Sequence, residues 1–272
     1  MIRSDFHTHS DFSGDSKSPM QDMIQEAIRK GLQRICFTEH NDPDFVYIIP
    51  EETGMFELDT DSYMKESLLY SQNFASSITV LRGVELGIQE HLYESLTDYI
   101  NKYPFDFVIG SSHLCDRMDP YDKTFFQNRT SKEAFRAYFE SIDRNIRVFD
   151  KFDVYGHLDY VVRYAPDTNQ NYFFKDYRDI FESIFKQLVY KGKGIEINSG
   201  GYRRGLGVPN PTPEIVRFYK ECGGEIITIG SDAHAPQDLT YHFDLIENIL
   251  KDAGFQYYTV FEKRKPIFLK FD

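Results

Sequence analysis

The sequence contains no tryptophan, few cysteines and no long apolar segment, and each shortage excludes a class of protein. Its 272 residues include three cysteines, Cys36, Cys115 and Cys222, an odd number that forms no Cys-X-X-Cys pair. Neither a disulfide framework nor a cysteine-ligated zinc site is therefore expected. The longest apolar runs, such as residues 226–229, are far shorter than the ~20 residues that a membrane helix requires. We expect no association with a membrane.

Basic residues are also scarce, because 31 Lys and Arg face 43 Asp and Glu and leave a net charge of −12. A chain this acidic has no positive surface for a phosphate polymer, so we expect a small-molecule partner and no nucleic acid polymer. Met1 leads into Arg3 and Asp5 without the apolar core of a signal peptide, which predicts a cytoplasmic protein. The sequence does not indicate an oligomeric state.

Short β-branched or aromatic runs alternate with segments of helical spacing along the whole chain. Strands are predicted at residues 4–9, 34–39, 79–86, 106–111, 153–157, 194–198 and 225–230. Helices are predicted between them, at about residues 18–31, 61–76, 131–151, 172–191, 213–222 and 242–253. This order predicts one α/β domain over residues 1–272, with a parallel sheet closed or nearly closed into a barrel. An open doubly wound sheet is the alternative, but no glycine-rich phosphate loop follows the first strand.

Six of the eight histidines fall at or just after the C-terminal end of a predicted strand, where the active sites of such barrels lie. These six are His7, His9, His40, His113, His157 and His234. Two carboxylates, Glu85 and Asp232, occupy equivalent positions. Independent structural roles would scatter these residues over both ends of the barrel. His91 and His242 open helical segments instead, so we assign them to the surface or to helix starts.

Two of these residue pairs have the i, i+2 spacing that places both side chains on one face of a strand. His7 pairs in this way with His9, and Asp232 with His234. Imidazole nitrogens and carboxylate oxygens are ligands that Zn, Mn and Fe accept. Glu85 lies in an apolar strand, where an unpaired carboxylate is costly and a bridging position between metals would remove the cost. The pattern therefore predicts a metal site.

Each of these assignments has a structural alternative. His113 and His157 are the kind of residue that also serves as a hydrogen-bonded core histidine, and Glu85 has Arg82 nearby as a partner for an ion pair. Glu196 and Asn198 also end a strand, but we interpret them as hydrogen-bond partners and leave them out of the metal set.

In order along the chain, these motifs resemble those of the PHP (polymerase and histidinol phosphatase) family of metal-dependent phosphoesterases. The resemblance covers residues 5–234 and rests on His7-Thr8-His9, Thr38-Glu39-His40, Glu85, Gly110-Ser111-Ser112-His113, Gly156-His157-Leu158-Asp159 and Gly230-Ser231-Asp232-Ala233-His234. Residues 196–203 and the proline-rich residues 208–213 are similar to the family's stand-alone phosphatases that act on L-histidinol phosphate. The resemblance implies a single distorted (β/α)7 barrel with its metal site at the C-terminal ends of the strands.

The resemblance also implies two to three divalent transition metals, with Zn, Mn and Fe all compatible with the donors. The first ion would be held by His7, His9, Glu85 and Asp232. The second would be held by Glu85, His113 and His157. The third would be held by His40, His234 and Asp15, the last at a position where relatives often have a histidine.

Metals that share Glu85 would lower the pKa of a bridging water and so produce a hydroxide that attacks phosphorus. The acid that protonates the leaving group would be Asp232, Asp15 or His234, with no basis for a choice among them. Arg163 and Arg203 follow strand ends and are predicted to bind the substrate phosphate, the alternative being solvated surface arginines.

The resemblance therefore implies a metal-dependent phosphomonoesterase, similar to the family members that hydrolyse L-histidinol phosphate in histidine biosynthesis. One alternative keeps the metal cluster but changes the substrate to a mononucleotide or another small phosphate ester. A second alternative, of a different class, is a non-catalytic module that binds metal only for stability.

Overall fold

A computed structural model of the protein describes residues 2–166 and 172–271. Seven parallel strands pair in chain order, namely β1 (Ser4–Thr8), β2 (Arg34–Asn41), β3 (Thr79–Gly87), β4 (Phe107–Ser111), β5 (Val154–Tyr155), β6 (Gly194–Asn198) and β7 (Ile227–Gly230). The chain segments at the two edges also meet. The Asp232 N–H donates to the His7 carbonyl over 2.8 Å, and the His9 N–H donates to the Ala233 carbonyl over 2.9 Å. The sheet is thus nearly closed into a barrel, which confirms the predicted (β/α)7 fold.

Helices cover the strands on the outside of the barrel. In the described part of the chain they are α1 (Met20–Arg29), α2 (Thr60–Asn73), α3 (Tyr93–Lys102), α4 (Ser131–Val148), α5 (Arg178–Tyr190), α6 (Gly200–Arg203), α7 (Pro213–Glu221) and α8 (Phe243–Asp252). None of them is long and apolar enough to cross a bilayer. The α4 helix begins with a capping box, in which Thr130 and Glu133 each bond the other's backbone N–H.

Two of the differences between the predicted helices and the structure have a physical explanation. The segment predicted from residue 172 becomes regular α-helix only at Arg178, after a short 3-10 turn at Phe174–Asp176. The α3 helix was not predicted, because its buried face consists only of Leu96 and Ile100. Two apolar positions are too few to produce a recognisable helical period.

The aromatic C-terminal segment forms an antiparallel hairpin of β8 (Tyr257–Glu262) and β9 (Lys265–Lys270), separate from the barrel sheet. The hairpin lies at the N-terminal end of the barrel strands, because its turn contacts residues that immediately precede β4 and β5. The Lys263 N–H donates to Asp106, and Arg264 Nε donates to Asp153 over 2.5 Å. The Phe261 ring stacks on Phe107 at a centroid distance of 5.1 Å. The hairpin therefore closes the base of the barrel, opposite the end where β1 to β7 finish.

Removal of the Phe261 side chain tests this base closure. Phe261 is 2% exposed, so Phe261→Ala is expected to lower the free energy of unfolding by about 3 to 5 kcal/mol, through lost burial and the cavity left behind. Phe268 in the same hairpin is 48% exposed, and Phe268→Ala should cost at most about 1 kcal/mol. Urea denaturation of both variants provides the measurement. Equal losses would show that the hairpin does not pack as described.

Candidate metal centre

The strand-end histidines converge at the C-terminal end of the barrel around one fully buried carboxylate, Glu85. Its Oε1 atom lies 3.1 Å from His113 Nε2 and 2.7 Å from His157 Nε2. Its Oε2 atom lies 3.0 Å from His7 Nε2 and 3.1 Å from His40 Nδ1. Glu85 therefore stands between two groups of imidazoles, one at each carboxylate oxygen.

Two further carboxylates complete the cluster on the side of β1 and β7. Asp232 Oδ1 lies 3.7 Å from His9 Nε2 and 3.6 Å from His234 Nδ1. Asp15 Oδ2 lies 3.1 Å from His234 Nε2 and 3.6 Å from His40 Nε2. The structure thus brings all nine residues of the predicted ligand set into one cluster, while the metal assigned to each stays a prediction.

The spacing of the donor atoms defines several possible ion positions. Three donor atoms lie within 4.8 Å of one another in each of the sets His7–His9–Glu85, Glu85–His113–His157 and His9–His40–His234. The first two sets agree with the predicted groups. The third places His9 beside His40 and His234, so His9 adjoins two of the possible positions. Glu196 and Asp42 enter two more such sets, the former with His7 and His157 and the latter with His40 and His113.

Among the described residues, several buried nitrogens of the cluster form no hydrogen bond of acceptable geometry. His9 Nε2 is one, and His40 Nδ1 and His234 Nε2 are others although each lies 3.1 Å from a carboxylate oxygen. Buried polar atoms are nearly always paired in folded proteins, and each unpaired one costs free energy. A divalent cation would satisfy these lone pairs. The mixture of imidazole nitrogens and carboxylate oxygens also suits transition metals, so the residues present fit such ions.

Electrostatics keep the carboxylates of the metal-free cluster ionised, but they affect its histidines in two opposite ways. Burial opposes protonation of His7, His40 and His113, yet the neighbouring carboxylates outweigh it and raise the pKa of each of these rings. Burial and the neighbouring imidazoles hold the pKa of His9 well below its usual value, so this ring is neutral. Burial opposes ionisation of Glu85, but the surrounding imidazoles, His7 foremost, outweigh it and hold the pKa of this carboxyl well below its usual value. Burial likewise opposes ionisation of Asp232, and His7 and Arg163 outweigh it and lower its pKa. Neutral imidazoles and ionised carboxylates are the forms that coordinate cations.

Carboxylates outside the predicted ligand set orient two of the histidines. Glu196 Oε1 lies 2.6 Å from His7 Nδ1, and Asp42 Oδ1 lies 2.6 Å from His113 Nδ1. An ionised carboxylate only accepts hydrogen bonds, so each places the ring hydrogen on Nδ1 and leaves Nε2 facing Glu85. Glu196 thus forms a hydrogen bond of the kind that the sequence analysis expected, while its exclusion from the metal ligands stays a prediction.

Asp42 was missed by the sequence analysis, because it lies in the loop beyond β2 and outside the predicted strand of residues 34–39. Its position depends on a neighbouring glycine. A Cβ atom at Gly87 would lie 2.0 Å from Asp42 Oδ1, so any side chain there would displace the carboxylate. A glycine directly after Glu85 and Leu86, in an otherwise regular strand, was the available signal of this close approach.

A cavity of about 360 Å³ opens over the cluster. Its walls include Arg163, Arg204 and several aromatic side chains from the loop after β2 and from residues 160–164. The Arg163 side chain is 2% exposed, and its Nε donates to Asn210 Oδ1 over 2.9 Å. Its Nη1 also donates to Asp232 Oδ2 over 3.3 Å. Arg163 therefore has a fixed position beside the cluster.

The two consecutive arginines after β6 point in different directions. Arg203 donates to the backbone carbonyls of Ser231 over 2.7 Å and Asp232 over 2.5 Å, so its guanidinium supports the loop that carries Asp232. Arg204, which was not in the predicted set, is the one of the two that lines the cavity. The roles predicted for Arg163 and Arg203 in binding phosphate remain predictions.

The barrel, the histidine cluster and the order of their motifs define a metal-dependent phosphoesterase of the PHP type, and the chain belongs to that family. The PHP domain matches residues 5–200 of the sequence.

Individual relatives cover nearly the whole chain. A histidinol-phosphatase of Lactococcus lactis subsp. lactis is 32% identical over 97% of this chain and 96% of its own length. A probable histidinol-phosphatase of Clostridium acetobutylicum is 34% identical over 92% of both chains. The crystal structure of histidinol phosphate phosphatase from L. lactis, in complex with zinc, L-histidinol and phosphate, superposes with a TM-score of 0.89 at 31% identity. That comparison covers 97% of this chain and 98% of the other.

The dependence of Asp42 on Gly87 can be tested by a double-mutant cycle. Gly87 does not have a positive φ, so Gly87→Ala adds a steric clash without backbone strain and should cost about 1 to 3 kcal/mol of unfolding free energy. Asp42→Ala removes the atom that clashes. In the double variant the total loss should therefore be smaller than the sum of the single losses by about 1 kcal/mol. Strictly additive losses in urea denaturation would mean that Gly87 is not needed for the placement of Asp42.

Proposed function

We propose that this protein is a metal-dependent phosphomonoesterase that hydrolyses L-histidinol phosphate to L-histidinol and phosphate. The observation that carries the proposal is the buried cluster around Glu85, whose unpaired imidazole nitrogens lie at the floor of a cavity with arginines in its wall. The choice of substrate is supported by the similarity over 97% of the chain to a histidinol-phosphatase, and by the histidinol and phosphate bound in a related structure.

The cofactor we infer is two to three divalent cations, with zinc favoured by the related structure and Mn or Fe compatible with the same donors. His7, His9, Glu85 and Asp232 would hold one ion, and Glu85, His113 and His157 would hold another. His40, His234 and Asp15 would hold a third. When bound, such cations supply positive charge for the phosphoryl oxygens and lower the pKa of water toward neutrality, so that it attacks phosphorus.

The residues of the chain then have to hold the phosphate and supply a proton. We assign phosphate binding to Arg163, which is already fixed by Asn210 beside the cluster, together with Arg204, which lines the same cavity and takes the place of the predicted Arg203. A guanidinium in a fixed orientation matches two phosphate oxygens at once. Asp15, Asp232 and His234 line the same cavity and remain the candidates for the proton donor to the leaving oxygen.

Asp119 supplies a site for the ammonium group of the substrate. Its carboxylate lines the cavity next to Tyr121 and Tyr160, and among the described residues it forms no ion pair. One backbone N–H, from Tyr121, donates to it over 2.8 Å. Burial raises the pKa of Asp119 to about 6, which leaves it ionised at neutral pH. A cationic group of the ligand would compensate this charge.

We also infer that the protein acts in the cytoplasm, on a small ester and not on a nucleic acid polymer, with residues 1–272 as a single phosphoesterase domain. The three cysteines are all free, which agrees with a reducing compartment. The net charge of −12 disfavours polymeric phosphate. The hairpin of β8 and β9 belongs to the same domain on this view, because it packs into the base of the barrel.

The proposed function predicts phosphate release from L-histidinol phosphate by protein that contains two to three equivalents of divalent metal. Dialysis against a chelator should abolish turnover, and added zinc should restore it, because the unpaired nitrogens of the cluster need a cation. The measurement is inorganic phosphate release beside metal analysis, with a mononucleotide and an aryl phosphate as comparison substrates. A preference for either comparison substrate would overturn the assigned substrate alone. Folded protein that neither binds metal nor turns over any ester would indicate a non-catalytic binding module.

The assignment of Asp119 predicts a selective change in KM. Asp119→Asn removes a charge-assisted hydrogen bond to the substrate, so KM for L-histidinol phosphate should rise roughly 10- to 100-fold. KM for an aryl phosphate without an amino group should stay the same. Asp122→Asn is the matched control, since Asp122 caps the next turn through Thr124 and lies outside the cavity lining. Equal effects of Asp119→Asn on both substrates would contradict recognition of the ammonium group.

A further inference from the structure

His9 differs from three other histidines of the cluster in the partner of its Nδ1 atom. His7 and His113 face carboxylates, and His234 Nδ1 lies 3.0 Å from the Asp232 carbonyl oxygen. These partners only accept hydrogen bonds, so they place the ring hydrogen on Nδ1 without ambiguity. His9 Nδ1 instead lies 3.1 Å from the hydroxyl of Ser13. A hydroxyl both donates and accepts, so Ser13 alone does not determine which ring nitrogen of His9 carries the hydrogen.

The other contacts of Ser13 resolve this ambiguity. The hydroxyl has one hydrogen to donate and two lone pairs to accept with. Its Oγ lies 2.6 Å from Glu39 Oε2, and the backbone N–H of His40 donates to it over 3.0 Å. The hydroxyl hydrogen therefore goes to Glu39, and one lone pair is taken by His40. The remaining lone pair faces His9 Nδ1, which must then carry the ring hydrogen.

We propose that Glu39 acts through Ser13 as a positioning pair that fixes His9 in the tautomer with its hydrogen on Nδ1 and a bare lone pair on Nε2. His9 Nε2 is buried and has no hydrogen-bond partner among the residues that the structure describes. It lies 3.6 Å from Glu85 Oε2 and 3.7 Å from Asp232 Oδ1. The pair thus aims the His9 lone pair at the shared carboxylates of the proposed metal centre, on which this inference rests.

The opposite arrangement is disfavoured by burial. If Ser13 donated to His9 Nδ1, Glu39 Oε2 would lose its hydroxyl donor inside a fully buried environment. The hydrogen of His9 would then sit on Nε2, where it would occupy the lone pair that a metal needs. Ser10 fixes the position of the Glu39 carboxylate. The Ser10 hydroxyl donates to Glu39 Oε1 over 2.6 Å, and the Ser10 N–H lies 3.1 Å from each carboxylate oxygen.

The tautomer of His9 is measurable in the metal-free protein. Protein labelled with 15N at the histidine side chains, and stripped of metal with a chelator, should show His9 as a neutral ring protonated at Nδ1 in long-range 1H–15N spectra. A wild-type His9 that carries its hydrogen on Nε2 overturns the proposal without any variant. This result is independent of turnover, so failure of the metal-loaded wild type to hydrolyse L-histidinol phosphate would count against the proposed function instead.

Ser13→Ala and Ser10→Ala form a matched pair of variants. Each removes one hydroxyl bond to Glu39, but of the two hydroxyls only that of Ser13 is hydrogen-bonded to the His9 ring. Ser13→Ala should shift His9 to a mixture of tautomers and weaken zinc binding roughly 10- to 100-fold, the usual effect of losing an outer partner of a ligand. Ser10→Ala should leave the His9 tautomer as in the wild type. Zinc affinity is measured by competition with a chromophoric chelator. Equal weakening in both variants, or an unchanged tautomer in Ser13→Ala, would show a merely structural role for Ser13.

Discussion

The negative charge of one buried carboxylate, Glu85, has to be compensated by the groups that surround it. A fully buried carboxylate is costly unless positive charge or hydrogen-bond donors surround it. Four imidazole nitrogens lie within 3.1 Å of it, from four different strand ends. Despite burial, the neighbouring carboxylates raise the pKa of three of these rings, His7, His40 and His113, so these rings supply positive charge in the metal-free protein. Because consecutive strands of a parallel barrel all end on one side, the fold can gather donors that are far apart in the sequence. The cluster is a consequence of strand direction as much as of residue type.

The backbone hydrogen bonds that close the barrel between β1 and the end of β7 also position residues of the cluster. The Asp232 N–H bonds the His7 carbonyl, and the His9 N–H bonds the Ala233 carbonyl. These two hydrogen bonds join β1 to the end of β7 and hold the two i, i+2 pairs side by side. Closure of the sheet and assembly of that half of the metal centre are therefore one structural event, and neither is complete without the other.

The strand-end histidines and the barrel were predictable from sequence, because strand spacing and strand direction are local properties. What the sequence analysis missed depends on loops and on contacts between distant residues. Asp42 orients His113 from a loop whose course no periodicity indicates. Arg203 and Arg204 are neighbours of identical type, and only the packing after β6 decides which of them faces the cavity. The hairpin of β8 and β9 was not predicted, and its place beneath the barrel rests on contacts with Asp106 and Asp153, which are distant in sequence.

The distribution of the cluster along the chain has a consequence for biosynthesis. The donors range from His7, near the beginning of the sequence, to His234, and the base of the barrel is closed later still by Phe261. A chain that emerges from the ribosome in order carries its first imidazoles long before their partners exist. During most of its synthesis the chain thus presents its first histidine pair, His7 and His9, without the second pair, Asp232 and His234. The complete cluster forms only when the first and last strands join.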